Sequence, residues 1–312
     1  MLFTPIAGRL AILGATVLLS GLACATAQRT FVASTGVDNP SCSIAAPCRG
    51  FAAAIAATSA NGEIIVVDSA GYGSVTITTP VSITAPAGVY AGISVLPGND
   101  GVTINASPGE VVLRGLTING QGGANGIHVV AGGSVHIEDC IVANVASAGV
   151  FIEGGAEVHL LRLIARGNGT EGVLVTPATA ATVLVTVSDS VLKDNNHTGL
   201  FVFTTTGGSA VHATVSHVTA SRNASSGFAI NSNGTGTAHV AIADSLSTLN
   251  DGDGLFVANA NATALLSGST VTKNQQPNIF LIAGAVVLTA QNNALSGTND
   301  VGGGTLTPNP LQ

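Results

Sequence analysis

The sequence predicts an all-β protein folded as a parallel β-helix, a solenoid in which each coil contributes three short strands. Two observations carry this prediction: a short unit recurs along the chain, and no copy shows helical spacing of its apolar residues. Each copy starts with one small or polar residue followed by an apolar run, and the starts lie 23 to 28 residues apart. The starts are Gly126, Gly149, Gly172, Gly199, Gly227, Gly254 and Asn278. Stacked units of this length bury a continuous core by pairing strand against strand.

A second position keeps register with the repeat. An asparagine stands four residues before most of the starts, at Asn168, Asn195, Asn223, Asn250 and Asn274, whereas Asn144 stands five before its own. An asparagine in a turn can bond backbone groups of its own coil and of the next. Earlier segments, beginning with EIIVVD at Glu63, follow the plan less regularly. We therefore expect about nine or ten coils over residues 63–301.

The two ends of the stack need different structures. Residues 28–62 are predicted to form an N-terminal cap. It contains a short capping helix, indicated by the apolar spacing of Phe51, Ile55 and Ala56. In an oxidising compartment Cys42 and Cys48 are expected to form a local disulfide, which leaves Cys140 unpaired and buried. Residues 302–312 are predicted to be a flexible tail.

The first 27 residues have the three parts of a secretory signal peptide. Arg9 is followed by an apolar stretch, and Ala25-Thr26-Ala27 gives a small-residue cleavage site before Gln28. We expect a secreted, periplasmic or cell-surface protein after cleavage. The stretch before Cys24 weakly resembles a lipoprotein box, so lipid anchoring is the alternative. No second long apolar run follows, and no membrane span is predicted.

The composition narrows the classes of partner. Only 8% of the residues are charged, with 9 Lys and Arg against 16 Asp and Glu. This balance gives no basic surface for nucleic acid, and none is expected as a partner. Aromatic residues make up 4% of the chain, with no Trp and 2 Tyr.

A polar set stands ten residues before the repeat starts: Asp139, Arg162, Asp189, His217 and Asp244. Stacked coils would place its members about one strand spacing apart. His217 with Asp189 or Asp244 could act as a general base with its orienting carboxylate, which makes these three the catalytic candidates. The alternative is a ladder of compensating charges at a turn.

The stretch TLNDGDGLFV, residues 248–257, contains the two candidate metal ligands, Asp251 and Asp253. Carboxylates beside glycines suit Ca²⁺, the one cofactor that this pattern suggests. No other coil repeats the Asp-Gly-Asp pattern. The alternative, in which both are solvated turn residues, is therefore preferred.

Strand alternation predicts an apolar stripe on the outside of the solenoid. The first and third residues after each start are aliphatic or Phe and should face the core, so the second should face outward. These second residues include Phe151, Leu174, Phe201, Phe256 and Phe280. An exposed stripe of this kind suggests a surface for a partner protein, a polysaccharide or a second copy of the chain. The alternative is that a long loop or the C-terminal tail covers the stripe. The lack of Trp makes sugar stacking a less favoured choice.

Coils such as GVFIEGGAEVHLLRLIARGNGTE resemble those of the right-handed parallel β-helix proteins, the pectate-lyase-like superfamily. Residues 29–78 are similar to the opening of exported bacterial β-helix repeat proteins of unassigned activity. The resemblance implies a right-handed coil. It implies no single activity, because the fold carries lyases, hydrolases, adhesins and tailspikes. The Gly-His-Gly and Arg-Ile-Lys motifs of polygalacturonases do not occur. We therefore expect a non-enzymatic surface or envelope scaffold for binding or adhesion; a lyase or glycoside hydrolase is the alternative.

Overall fold

The computed structural model describes residues 26–205 and 207–309. The elements of the first part of the chain are β1 (Ala27–Val32), α1 (Phe51–Ala57), β2 (Thr58–Val66), β3 (Ala70–Gly71), β4 (Val75–Ile77), β5 (Val81–Thr84), β6 (Ala91–Val95), β7 (Val102–Arg114), β8 (Leu116–Gly120) and β9 (Ile127–Glu138). The middle contains β10 (Ile141–Ala143), β11 (Val150–Ile152), β12 (Glu157–Leu161), β13 (Ile164–Arg166), β14 (Val173–Val175), β15 (Thr182–Ser188), β16 (Val191–Lys193), β17 (Leu200–Thr204), β18 (Ala210–Ser216) and β19 (Thr219–Ser221). The last part contains β20 (Phe228–Ser232), β21 (Thr237–Ala243), β22 (Leu246–Thr248), β23 (Leu255–Ala258), β24 (Ala262–Ser267), β25 (Thr270–Thr272), β26 (Ile279–Ile282), β27 (Val286–Thr289), β28 (Ala294–Ser296), β29 (Asn299–Asp300) and β30 (Thr305–Pro308).

These strands form a solenoid of about nine turns, as the repeat predicts. Its strands lie on three faces, and every pairing between them is parallel. Face A contains β4, the first halves of β7 and β9, and then β11, β14, β17, β20, β23, β26 and β29. Face B contains β1, β2, β5, the second halves of β7 and β9, and then β12, β15, β18, β21, β24, β27 and β30. Face C is a separate ten-stranded sheet, whereas the continuous strands β7 and β9 join faces A and B into one sheet.

Alternation of side chains builds the core. In β11 the burial pattern is buried, half-buried, buried for Val150, Phe151 and Ile152, and β14 repeats it. The inward residues of all three faces are almost entirely aliphatic and lie at or near zero exposure. Complete burial of one such side chain stabilises the fold by roughly 1.5–3 kcal/mol.

Two turns of each coil use the left-handed backbone region, which side chains other than glycine adopt at a cost. The turn between faces B and C holds one residue of this kind per coil, at Asp139, Arg162, Asp189, His217, Asp244 and Gly268, with φ between 49° and 57°. The turn between faces C and A holds another, at Asn144, Gly167, Asp194, Arg222, Leu249 and Lys273. Asn144 therefore occupies this left-handed position, and Val145 takes the place that asparagine holds in the following coils.

The recurring asparagines form a buried ladder along the solenoid. Asn168, Asn195, Asn223 and Asn250 are at most 1% exposed. In each step the backbone N–H and the side-chain Nδ2 of one asparagine donate to Oδ1 of the next, as in the 3.1 Å and 2.9 Å bonds from Asn195 to Asn223. Nδ2 of Asn195 also donates to the Ala165 carbonyl at 3.3 Å. These turns have one polar group per coil that satisfies buried backbone groups, as the sequence predicts.

The N-terminal end carries the predicted helix and disulfide. Helix α1 packs against β1, β2 and β4, and the Cys42–Cys48 bond is formed with both sulfurs buried. The predicted apolar spacing is wrong in part: Ala54 and Ala57 are buried with Phe51, whereas Ile55 is half-buried and Ala56 is exposed. A single seven-residue helix lying on the end of the stack buries positions three apart.

Both ends of the solenoid lie outside the predicted boundaries. Strand β1 pairs with β2, so the segment assigned to the cap already adds a strand to face B. Strand β30 pairs with β27, so the segment assigned to a flexible tail includes a strand. The signal-peptide prediction falls on residues 1–25, which lie outside the described part of the chain, and on Thr26 and Ala27 at the start of β1. The one helix found between residues 26 and 309 is too short to span a membrane.

Candidate functional site

The outer side of face A carries a groove, here called the face A groove. Its floor is the column of outward side chains that strand pairing brings into register: Thr76, Thr103, His128, Phe151, Leu174, Phe201, Ala229, Phe256 and Phe280. The rings of Phe256 and Phe280 lie 5.8 Å apart, and Phe203 stacks on Phe201 at 5.4 Å. The five apolar residues predicted for the stripe do face outward. Each is half-buried rather than fully exposed.

Mostly polar side chains form one rim of the face A groove, and a mixed set forms the other. The residue that precedes each repeat start lies along one rim, in the order Asp100, Asn125, Ala148, Glu171, Thr198, Ser226 and Asp253. The residues two positions after the floor residues lie along the other rim. They include the polar Glu153, Thr176 and Asn231 and the apolar Phe203 and Ala258. The groove thus has a largely apolar floor, with hydrogen-bonding groups along one rim and at some positions of the other.

The rims contain acidic groups and no neighbouring arginine or lysine. Of the nine Lys and Arg residues, eight lie in the part of the chain that the structure describes, and Arg9 lies outside it. All eight lie on other faces, at turns or in the N-terminal cap: Arg29, Arg49, Arg114, Arg162, Arg166, Lys193, Arg222 and Lys273. The groove therefore has acidic side chains and no Lys or Arg to offset them, which opposes the binding of polyanions.

One end of the groove holds a carboxylate–imidazole–carboxylate chain. His128 Nδ1 lies 2.8 Å from Asp100 Oδ2, and His128 Nε2 lies 2.6 Å from Glu153 Oε2. The imidazole stacks on Phe151 with the ring centroids 4.8 Å apart. Asn125 donates to Asp100 through both its backbone N–H and Nδ2. Both ring nitrogens are occupied, so the chain fixes the side chains at this end of the groove.

The floor is interrupted where Ala229 stands between Phe201 and Phe256. Two strand spacings, about 10 Å, separate the backbones that carry the two rings, and the small alanine leaves the space between them open. The result is a cavity of about 220 Å³, whose walls include His197, Ser226 and Asp253. His197 is held at the rim by Glu171, with 2.9 Å between Nδ1 and Oε1.

Asp253 is the acid in this cavity whose pKa is shifted. Burial raises the pKa of its carboxyl to about 6, and the nearby charge of Asp300 acts in the same direction. Hydrogen bonds with its own backbone N–H and with the side chain of Ser226 oppose the rise in pKa without cancelling it. Asp253 therefore changes its charge near neutral pH, unlike an ordinary surface carboxylate.

The raised pKa predicts that Asp253→Asn stabilises the protein above pH 6. Ionisation of Asp253 is harder in the folded than in the unfolded chain, so its contribution to stability is most favourable below about pH 4. That contribution is lost as the pH rises to about 6. The variant should gain about 1 kcal/mol at pH 7.5, since solvent screening limits the effect, and close to nothing at pH 4. Urea denaturation at both pH values measures this difference. Asp251→Asn is the control, and an equal gain at pH 4 would contradict the prediction.

The polar set that includes the catalytic candidates is a turn structure. Arg162 makes a bidentate pair with Asp139 at 2.6 Å and 2.9 Å, and its hydrogen bonds hold the pKa of Asp139 below the usual range. His217 Nδ1 lies 3.9 Å from Asp189 Oδ1, and both side chains are more than half exposed. Asp244 follows His217 in the same column of left-handed residues. The structure thus brings Asp189, His217 and Asp244 together as stacked neighbours, at an edge of the solenoid away from the face A groove.

The two candidate metal ligands have different surroundings. Asp251 is exposed and accepts a hydrogen bond from Gln275, whereas Asp253 lines the cavity. Among residues 26–205 and 207–309, no three His, Cys, Asp or Glu side chains gather as a possible ligand set.

Several residues gain roles that the sequence analysis did not assign. His128, His197 and Glu171 belong to the groove, and their partners come from neighbouring coils at separations that only the register reveals.

On face B, His136 stacks on His159 at 4.6 Å and His212 stacks on His239 at 5.4 Å. Cys140 is a free, buried thiol, as predicted, and burial raises its pKa to about 12.

Comparison with known proteins agrees with this architecture. The family model described as a right-handed β-helix region matches twice, over residues 88–215 and 125–301. Among solved structures, the crystal structure of pectate lyase Pel9A is similar with a TM-score of 0.53 and 17% identity, over 92% of this chain and 79% of that one. At this identity the likeness is one of fold. A search of curated proteins finds no significant match. Since the family matches span more than half of the chain, this protein belongs to the family that contains a right-handed β-helix region.

Proposed function

We propose that this protein is a non-enzymatic binding scaffold that holds an extended, uncharged or cationic polysaccharide in the face A groove. The observation that carries this proposal is the floor of side chains in register from His128 to Phe280, with polar groups at its sides. Seven floor positions in register extend for about 29 Å along the solenoid. A groove of this length suits a linear polymer lying parallel to the axis.

The chemistry of the groove supports a carbohydrate ligand. Sugar rings have apolar faces that pack on aromatic side chains, and their hydroxyl groups exchange hydrogen bonds with groups at the edges. The rims supply such groups from Asn125, Thr198 and Ser226. The fold likeness to a polysaccharide lyase is consistent with this class of ligand.

The charged side chains of the groove narrow the class of ligand further. Asp100, Glu153, Glu171 and Asp253 line the groove without an adjacent arginine or lysine. A polyanion such as pectate would meet these four carboxylates when it lay in the groove. We therefore infer a preference for neutral or basic polymers, in contrast to the substrate in the name of the structurally similar lyase.

An extended peptide fits the groove less well. Peptides that add to a sheet bind through unpaired backbone groups at an edge. The backbone groups of the face A strands already bond those of the coils before and after them. Only side chains remain available on this face, which favours a ligand recognised by its hydroxyl groups and ring faces.

Hydrolysis of the polymer is the second candidate function, favoured by the raised pKa of Asp253. A general acid needs such a pKa, and a glycosidase needs a second carboxyl across the scissile bond. Glu171 lies three coils from Asp253 in the same rim, about 14 Å along the axis, which exceeds the separations that glycosidases use. Asp300 lies two coils below Asp253 and is not part of the cavity wall. Binding therefore remains the first proposal.

The predicted signal peptide and the Cys42–Cys48 disulfide support a site of action outside the cytoplasm. In such a compartment the scaffold would meet cell-wall or environmental polysaccharides. The stripe could alternatively hold a surface protein or a second copy of this chain, and sedimentation distinguishes the second copy from a polysaccharide.

The test is affinity electrophoresis of the purified protein through gels that contain neutral, basic or acidic polysaccharides. Retardation is expected with neutral or basic polymers and not with polygalacturonate. Phe201→Ala together with Phe256→Ala should weaken binding by about 10–100-fold, because two stacking positions are lost. Leu265→Ala removes an exposed apolar residue from face B and should leave binding unchanged.

Two further measurements complete this test. Sedimentation of the same variants shows whether the stripe is instead a contact between copies, since the double variant would then dissociate an oligomer. Analysis of the polymer after incubation detects chain cleavage. Binding that persists in the double Phe variant would contradict the proposed groove, and released fragments would favour hydrolysis.

A further inference from the structure

Asp253 differs from the other acids of the face A groove in having no basic partner. Asp100 and Glu153 share His128, and Glu171 is bonded to His197. Among the described residues, Asp253 forms no ion pair with Lys, Arg or His within 4.0 Å. Its identified neighbours are its own backbone N–H, the hydroxyl of Ser226 and the like charge of Asp300. A half-buried carboxylate without a counter-charge is costly, and a bound cation would offset that cost.

The shape of the cavity places this carboxylate beside an open floor position. Phe201 and Phe256 bound the space above Ala229, and Asp253 lies at its rim. A sugar ring that entered the space would have aromatic carbon next to its faces and the carboxylate near a substituent at its edge. The volume of about 220 Å³ fits a single ring better than a large side group.

We propose that this cavity is a subsite for a protonated amino group, so that the ligand of the face A groove is a linear glycan with free amino sugars. The inference rests on the proposed binding function and names the class of its ligand. An ammonium group would form charge-assisted hydrogen bonds with Asp253, which are shorter and stronger than those of a neutral hydroxyl. An N-acetylated sugar carries no such charge and would leave the carboxylate uncompensated.

The subsite makes binding depend on pH in a defined direction. Asp253 must be ionised and the amino group protonated, and the raised pKa puts the first requirement near pH 6. The titratable groups that face the cavity are His197 in its wall and Asp300 below it. We expect the affinity for an amino glycan to fall as the pH is lowered from 6.5 to 4.5.

The experiment compares two ligands that share one backbone. A β-1,4-linked glucosamine hexamer and its fully N-acetylated counterpart are titrated calorimetrically into the full mature chain at pH 6.5. The amino hexamer should bind at least about tenfold more tightly, as expected for one charge-assisted contact in a partly desolvated site. Asp253→Asn should remove most of that difference and leave the affinity for the acetylated hexamer nearly unchanged.

The control variant is Asp251→Asn, which removes an exposed carboxylate from the same loop. It keeps the preference for the amino hexamer if Asp253 is the recognising group, and loses it if the net charge of the loop is responsible. Asp253→Asn is expected to be at least as stable as the wild type at this pH, so a lost preference would not reflect unfolding.

The outcomes separate this inference from the function on which it rests. Equal affinity for both hexamers, abolished by the double Phe variant, would overturn the amino subsite and leave the groove function in place. A preference that Asp253→Asn does not change would also overturn the subsite. Binding of neither hexamer would overturn the inference and count against the proposed groove as well.

Discussion

Replacing Asn195 by Ala should lower the free energy of unfolding by about 3 kcal/mol or more. The side chain is 1% exposed and makes four hydrogen bonds. Oδ1 accepts from the backbone N–H and Nδ2 of Asn168, and Nδ2 donates to Asn223 and to the Ala165 carbonyl. The alanine variant leaves the buried Asn168 N–H and the Ala165 carbonyl without these partners. The cost of buried unsatisfied groups, rather than of the lost bonds alone, sets this magnitude.

Asn196→Ala is the matched control for the ladder. It changes the same residue type in the same turn, one position further along, where the side chain is exposed. We expect a change in stability of less than about 0.5 kcal/mol. Urea denaturation followed by circular dichroism compares the two variants. Equal destabilisation by both would show that the turn, and not the buried amide, carries the effect.

Replacing Gly172 by Ala should cost about 2–3 kcal/mol of stability. A Cβ atom at this position would lie 2.7 Å from the Gly199 carbonyl oxygen and 2.9 Å from Nδ2 of Asn195. One of these contacts is with backbone, so the chain would have to shift to relieve it. The backbone of Gly172 is not left-handed, and the need for glycine comes from the close approach of the next coil.

Gly71→Ala is the control for this prediction, because the nearest atom to its added Cβ would be the Gly92 carbonyl oxygen at an ordinary 3.8 Å. The same denaturation experiment applies. A double variant adds a sharper test: Asn195→Ala removes one of the two clashing groups, so Gly172→Ala should cost less in that background than in the wild type. Simple additivity would contradict the proposed contact.

The glycine and the asparagine of the repeat are therefore two parts of one contact. The asparagine amide of each coil lies where the repeat-start glycine of the preceding coil would carry its Cβ, as Gly149 and Asn168 also show. The sequence reveals that the two residues recur at a fixed spacing. The structure explains why they recur together, because each glycine makes room for the ladder group of the next coil.

At the candidate site, what the sequence predicts and what only the structure shows are divided more sharply. Alternation along the chain was enough to predict that Phe151, Leu174, Phe201, Phe256 and Phe280 face outward, since side chains alternate strictly in a strand. It did not reveal the acids on the rims or the cavity above Ala229. Those depend on which side chains of different coils become neighbours, and coils of 23 to 28 residues keep the strands in register while their loops vary.

The polar set at the turn between faces B and C shows another limit of what the sequence can predict. Its members are stacked, as their spacing predicts, but the sequence could not tell whether the stack meets a binding surface. Their left-handed backbone places Asp189, His217 and Asp244 at the corner between faces B and C, with their side chains in solvent. The groove lies on face A.

By itself the sequence determined the parallel solenoid, the coil register and the asparagine turns, because each follows from a local pattern repeated at fixed spacing. It also predicted the Cys42–Cys48 disulfide and the buried state of Cys140, from the small number of cysteines and the short distance between two of them. Only the tertiary structure decided that His128 joins Asp100 to Glu153 and that Asp253 lacks a basic partner. These pairings join residues on separate coils. Which of these groups come into contact depends on how the coils stack, which no single stretch of the sequence reveals.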